Sequence, residues 1–152
     1  MNENIRAGKD VIISIVGTQT FSDDETDVIE LVTDGKYLHK NGETYFSYME
    51  SEITGLAGTT TTFSVKPDAV TMSRVGTLNT TMIFEPGKKH YFLYDTPYGA
   101  TTMGVSTRRV NHSLDEHGGD MEIEYLIDLE HTTIGRNSFK INVKESGRRD
   151  SV

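Results

Sequence analysis

Glu50 and Glu52 stand two residues apart in the stretch YMESEITGLAGTTTTFSV, residues 48–65. Two carboxylates held close together can act as acid and base, because burial and mutual repulsion separate their pKa values. On an extended strand both would share a face with Phe46 and Tyr48, about 7 Å apart at Cα. Arg74 is the natural cation for them. It alternates with Val70 and Met72, and an Arg on an apolar face needs a carboxylate or a ligand anion. The plainest reading is a solvated strand end for the two acids and a packed aliphatic stem for Arg74. A structural Glu50–Arg74 or Glu52–Arg74 ion pair is the second reading, and catalysis by the two glutamates is the third.

A second set is apolar. Met82 and Phe84 fall on one strand face, Phe92 and Tyr94 on one face of the next, and Tyr125 on an inward face later. The interior of a small barrel is either filled by such residues or holds one small ligand. The segment YDTPYGA, residues 94–100, would form a rim, with Tyr98 covering the interior or stacking on a ligand. The stretch NHSLDEHGGD carries His112, Asp115, Glu116, His117 and Asp120. Imidazoles and carboxylates can bind a divalent cation, but this spacing is no metal signature and reads as a polar hairpin loop. The glycines of Gly55-Leu56-Ala57-Gly58 read as a hairpin loop that needs positive φ. No hydrolase elbow, phosphate-binding loop or dinucleotide fingerprint occurs. No catalytic residue, metal or cofactor is therefore assigned.

The elements that must position these residues are strands. Thr, Val, Ile and aromatics dominate between turns, and they suit a pleated, half-buried surface. Val11, Ile13 and Ile15 alternate, as do Met121, Ile123, Tyr125, Ile127 and Leu129, and again Phe139, Ile141 and Val143. Glu122, Glu124, Asp128 and Glu130 oppose the second of these sets, as antiparallel strands with one dry face require. Turns are expected at Ser22–Glu25, Asp34-Gly35, Asn41-Gly42, Gly55–Gly58, Pro67-Asp68, Gly76–Asn79, Pro86-Gly87 and Pro97–Gly99. A loop is expected over His112–Gly119 and a last turn over Thr132–Asn137. Connections this short leave no room for crossover helices, so the strands should form a meander that closes into a barrel or folds into a sandwich, the barrel being favoured because closure removes exposed edges.

The 152 residues fit one domain, with a core over about residues 10–144 and a disordered tail at 145–152. A formal net charge of −8 argues against nucleic acid as a partner. No apolar run approaches the roughly 20 residues of a membrane helix, and the start MNENIRAGKD has no apolar signal region. The chain has no Cys, which excludes disulfides, thiolate metal sites and a Cys nucleophile, and suits a reducing cytoplasm.

The ordered series Tyr48-x-Glu50-x-Glu52-x-Thr54-Gly55, Arg74-x-Gly76, Met82-x-Phe84-Glu85-x-Gly87-Lys88, Tyr94-x-Thr96-Pro97-Tyr98-Gly99 and Tyr125 resembles the YwiB-like family of small bacterial proteins. The likeness runs from about Asp10 to Val143. It implies an all-β fold, a single antiparallel up-and-down calycin-like (lipocalin-like) β-barrel of about eight to ten strands, in an intracellular bacterial protein. It implies no reaction, because the family has no established function. The leading expectation is a cytoplasmic protein that binds a small, partly apolar ligand in or at the mouth of the barrel. Tyr48, Glu50, Glu52, Arg74, Met82, Phe84, Tyr94, Tyr98 and Tyr125 would line that site. The alternatives are an interaction module with a filled barrel, meeting a protein partner or a second copy, and an enzyme using Glu50 and Glu52.

Overall fold

A computed structural model describes residues 8–21 and 25–146. The Ser22–Glu25 turn and the tail fall largely outside these residues. Ten strands follow in chain order: β1 (Lys9–Thr20), β2 (Thr26–Lys40), β3 (Glu43–Met49), β4 (Thr60–Val65), β5 (Val70–Val75), β6 (Thr80–Phe84), β7 (Lys89–Thr96), β8 (Gly99–Asp115), β9 (Gly118–Leu129) and β10 (Thr132–Glu145). A single turn of 3₁₀ helix, Glu52–Thr54, lies between β3 and β4.

Every paired neighbour is antiparallel, in the order β6-β5-β4-β3-β2-β1-β10-β9-β8-β7. The β1–β10 ladder joins the two ends of the chain. Between β6 and β7 the sheet is held by one bridge, Asn79–Asp95, and by main-chain bonds of the Pro86-Gly87 turn to Thr107. The result is a nearly closed up-and-down β-barrel. The long β1–β10 ladder leaves only short edges exposed, which limits association through open strand edges.

The alternating residues point inward as their period requires. Val11, Ile13, Phe46, Phe63, Met72, Phe84, Val105, Ile123 and Val143 are fully or almost fully buried. Rings fill much of the interior. Phe46 stacks on Phe63 with centroids 5.0 Å apart, Phe84 meets Tyr125 at 4.9 Å, and Phe139 lies 5.7 Å from Tyr125. Offset and edge contacts of this kind add to the stabilisation from burial.

Three expected turns are corrected. Asp34-Gly35 lies inside β2 and is not a hairpin. Gly35 sits where β2 is squeezed between β1 and β3: a Cβ there would lie 2.4 Å from Ile13 Cδ1 and 2.5 Å from the Ser47 carbonyl oxygen. The glycine serves close approach, not a turn. The loop expected over His112–Gly119 is mostly strand, because β8 runs to Asp115 and β9 starts at Gly118. Its polar residues decorate the wet face of two long strands. The last turn falls at Glu130 and His131, both at positive φ (51° and 68°), rather than over Thr132–Asn137. Those residues belong to β10, which carries a bulge between Thr133 and Gly135. At the C-terminal end, Glu145 is still strand.

Candidate functional site

The strand register places the polar inward residues together. Tyr48 pairs with Thr61, Thr61 with Arg74 and Arg74 with Thr80, so the four form one row across β3 to β6. The row beside it, Phe46, Phe63, Met72 and Met82, is wholly apolar and buried. Across the barrel, Gln19 pairs with Asn137 and Asn137 with Tyr125. The polar rows therefore mark one end of the interior, and the packed apolar row closes the space beneath them.

Local sequence explains how Glu50 reaches this end. The β3 ladder stops at Met49, but the Glu50 amide still donates to the Thr59 carbonyl at 2.8 Å, so Glu50 keeps the inward direction. Ser51 then caps the 3₁₀ turn by accepting from the Ile53 amide, and Gly55 closes it at φ 79°. Thr54 is thereby turned back over Glu50. The Gly55–Gly58 loop packs on the Gly76–Leu78 turn so tightly that a Cβ at Gly76 would lie 2.1 Å from the Gly58 carbonyl oxygen. Thr59 is buried, and its hydroxyl accepts from the Leu78 amide at 3.2 Å.

Glu50 is satisfied on both oxygens. Thr54 Oγ1 donates to Oε1 at 2.9 Å and Thr61 Oγ1 to Oε2 at 2.5 Å. Arg74 Nε donates to Thr61 Oγ1 at 3.3 Å and lies 3.7 Å from Glu50 Oε2, the two side chains being 17% and 1% exposed. Among the described residues, no hydrogen bond engages the terminal nitrogens of Arg74. The Tyr48 phenol is pushed well above its usual pKa, chiefly by burial and then by the charge of Glu50, with Arg74 opposing. Burial also raises Tyr125, again opposed by Arg74. Both phenols stay protonated at neutral pH.

These groups border a pocket of about 280 Å³, close to the lower end of the range of small-molecule sites. Tyr48, Glu50, Arg74 and Tyr125 line it, as does an apolar wall that includes Ile15, Ile29, Leu31 and Phe139. The other expected residues stand elsewhere. Glu52 belongs to the exposed 3₁₀ turn, not to the Glu50 strand face. Met82 and Phe84 are buried in the packed core, while Tyr94 is 36% and Tyr98 99% exposed. None of the five lines the pocket. Glu50 and Glu52 therefore do not form a carboxylate pair, because the chain leaves strand geometry between them.

Several lining residues were not expected at a site from sequence, among them Gly17, Gln19 and Asn137. Gly17 and Gln19 continue the Val11, Ile13, Ile15 alternation, and Asn137 continues that of Phe139. Parity alone would have placed them inward. Asn137 Nδ2 is buried without a partner among the described residues. Among the described residues no group of three or more His, Asp or Glu is placed to hold a metal ion.

A family described as a domain of unknown function (DUF1934) matches residues 13–141. The chain is 29% identical over 103 residues to an uncharacterised β-barrel protein, YwiB, of Bacillus subtilis (strain 168), a match that spans 68% of this chain and 71% of that protein. The crystal structure of the Bacillus subtilis ywiB protein superposes with a TM-score of 0.83 at 21% identity, covering 95% of this chain and 97% of the other. This superposition supports the same barrel fold.

Proposed function

The chain belongs to the DUF1934 family, and on that premise we propose that it is a non-catalytic binding protein for a small, partly apolar ligand at the mouth of its barrel. One observation carries the reading. Arg74 enters a pocket of about 280 Å³ with its Nε engaged and its terminal nitrogens unpaired among the described residues, opposite an aliphatic and aromatic wall. Arg74 is 17% exposed, so these donors face the solvent of the pocket, and a ligand acceptor would replace water on a charged donor. Glu50 is a poor general acid or base here, because both of its oxygens already accept hydroxyl protons beside a cation.

Native mass spectrometry of the protein purified from its own host tests this. The expected result is a retained small mass in the wild type that is lost in Gly17→Leu. In that variant the new side chain projects into the pocket, where a Cβ meets nothing closer than 3.9 Å. Bare spectra for both proteins, with no change in the amide NMR signals of Gly17 or Asn137 when host metabolite extract is added, would refute the reading.

An interaction module is the second reading. Its support is the outer face of β7, where Tyr91 and Leu93 are 63% and 51% exposed beside the weakly bridged β6–β7 seam. Sedimentation velocity over a concentration series tests it, with Tyr91→Glu expected to abolish any self-association.

A further inference from the structure

We infer that the ligand of the barrel mouth is a small monocarboxylic acid with a short apolar body, its carboxylate held by the outer edge of Arg74 and by Asn137. The inference rests on the binding reading above and deepens it. Several polar groups of the pocket can donate. Arg74 presents terminal nitrogens that have no partner among the described residues. Asn137 Nδ2 is buried and, among the described residues, unpartnered. The Tyr125 hydroxyl, kept protonated by burial, has no hydrogen-bond partner among the described residues. The Glu50 carboxylate, by contrast, is fully engaged. A donor-lined end selects a ligand rich in acceptors, and the planar fork of a guanidinium matches a carboxylate in two parallel bonds.

Charge and size narrow the class. Among the described lining residues Arg74 is the only Lys or Arg, and Glu50 and Asp27 line the same pocket. A dianionic phosphate would meet too little positive charge beside these two acids, whereas a monoanion brings only one further carboxylate to Arg74 beside its partner Glu50. This chain already tolerates that arrangement on its surface, where Arg109 contacts both Glu122 and Glu124. At roughly 30 Å³ per water-sized group, a pocket of 280 Å³ holds a body of about nine heavy atoms. The apolar part would lie on Ile15, Ile29, Leu31 and Phe139.

The test is an NMR titration with benzoate and 3-methylbutanoate, each beside its primary amide. Carboxylates should move the signals of Gly17 and the Asn137 side chain, and should bind about tenfold or more tighter than the amides, as charge-assisted bonds do. Gly17→Leu should abolish binding of both. Removing Arg74 alone strands Glu50, so the double variant Glu50→Gln/Arg74→Met is the control; it should keep the pocket and lose only the preference for acids. Amides that bind as tightly as acids would overturn the carboxylate assignment and leave the pocket reading intact. Pocket signals unmoved by acid and amide alike, with identical native mass spectra for wild type and Gly17→Leu, would overturn both.

Discussion

Replacing Arg74 by Met isolates what the ion pair contributes to the barrel. The change keeps an unbranched stem and removes the guanidinium, leaving a Glu50 side chain that is 1% exposed with two threonine hydroxyls and no cation. Removing one member of a fully buried pair costs about 3–5 kcal/mol. Arg74 is 17% exposed and its Nε lies 3.7 Å from the carboxylate, so solvent in the pocket compensates part of that, and about 2–3 kcal/mol is the expected loss. For a chain of this length that lowers Tm by roughly 5–10 °C. Equilibrium urea unfolding reads the free energy directly. The charge itself should be the cause, because Gln in place of Glu50 can accept from one of the two threonine hydroxyls and donate to the oxygen of the other. The double variant Glu50→Gln/Arg74→Met should therefore recover at least half of the loss. An Arg74→Met protein within about 0.5 kcal/mol of wild type, or a double variant no more stable than the single, would refute this account of the site.

Gly35→Ala should destabilise by about 1–3 kcal/mol in the same assay, since its Cβ would collide with Ile13 and the Ser47 carbonyl, while Gly17→Ala should be tolerated. Glu52→Gln should leave stability within about 0.5 kcal/mol, because Glu52 is exposed on the 3₁₀ turn. Tyr37 is fully buried, and burial pushes its phenol from 10.0 up to about 12. A folded pKa above the unfolded one means stability that is present below pH 10 and lost as pH rises toward 12. Chemical denaturation across that window should show the fall, and Tyr37→Phe should lessen it, while Tyr48 and Tyr125, also raised by burial, keep their share. Ultraviolet titration should find the phenols of Tyr37, Tyr48 and Tyr125 ionising late, as their burial requires.

The period-2 alternation was enough to predict an antiparallel meander, because each strand needs a dry face and the short connections permit only antiparallel neighbours, while the choice of a barrel over a sandwich leaned on the family likeness. It also placed Val11, Ile123 and Ile141 inside. Turn chemistry was less informative. Asn41-Gly42 is a turn, with φ of 57° and 78°, while Asp34-Gly35, which carries the same local signal, is continuous strand. The difference is the crowding from β1 and β3, which no window of sequence contains. Glu52 was misplaced for a related reason: capping by Ser51 and the left-handed Gly55 end the strand just before it.

The sequence by itself determined most of the strands and which residues share a face, Tyr48 with Glu50 and Arg74 with Val70 and Met72, since parity is a property of the extended backbone. Only the tertiary structure decided which inward residues meet. The register between strands far apart in sequence sets Arg74 beside Thr61 and Glu50 and brings Tyr125 and Asn137 to the same end. It also sends Met82 and Phe84 into packed core and leaves space at Gly17. A one-residue change of register would turn each of these side chains to the opposite face, so the site exists only once the ladders are closed.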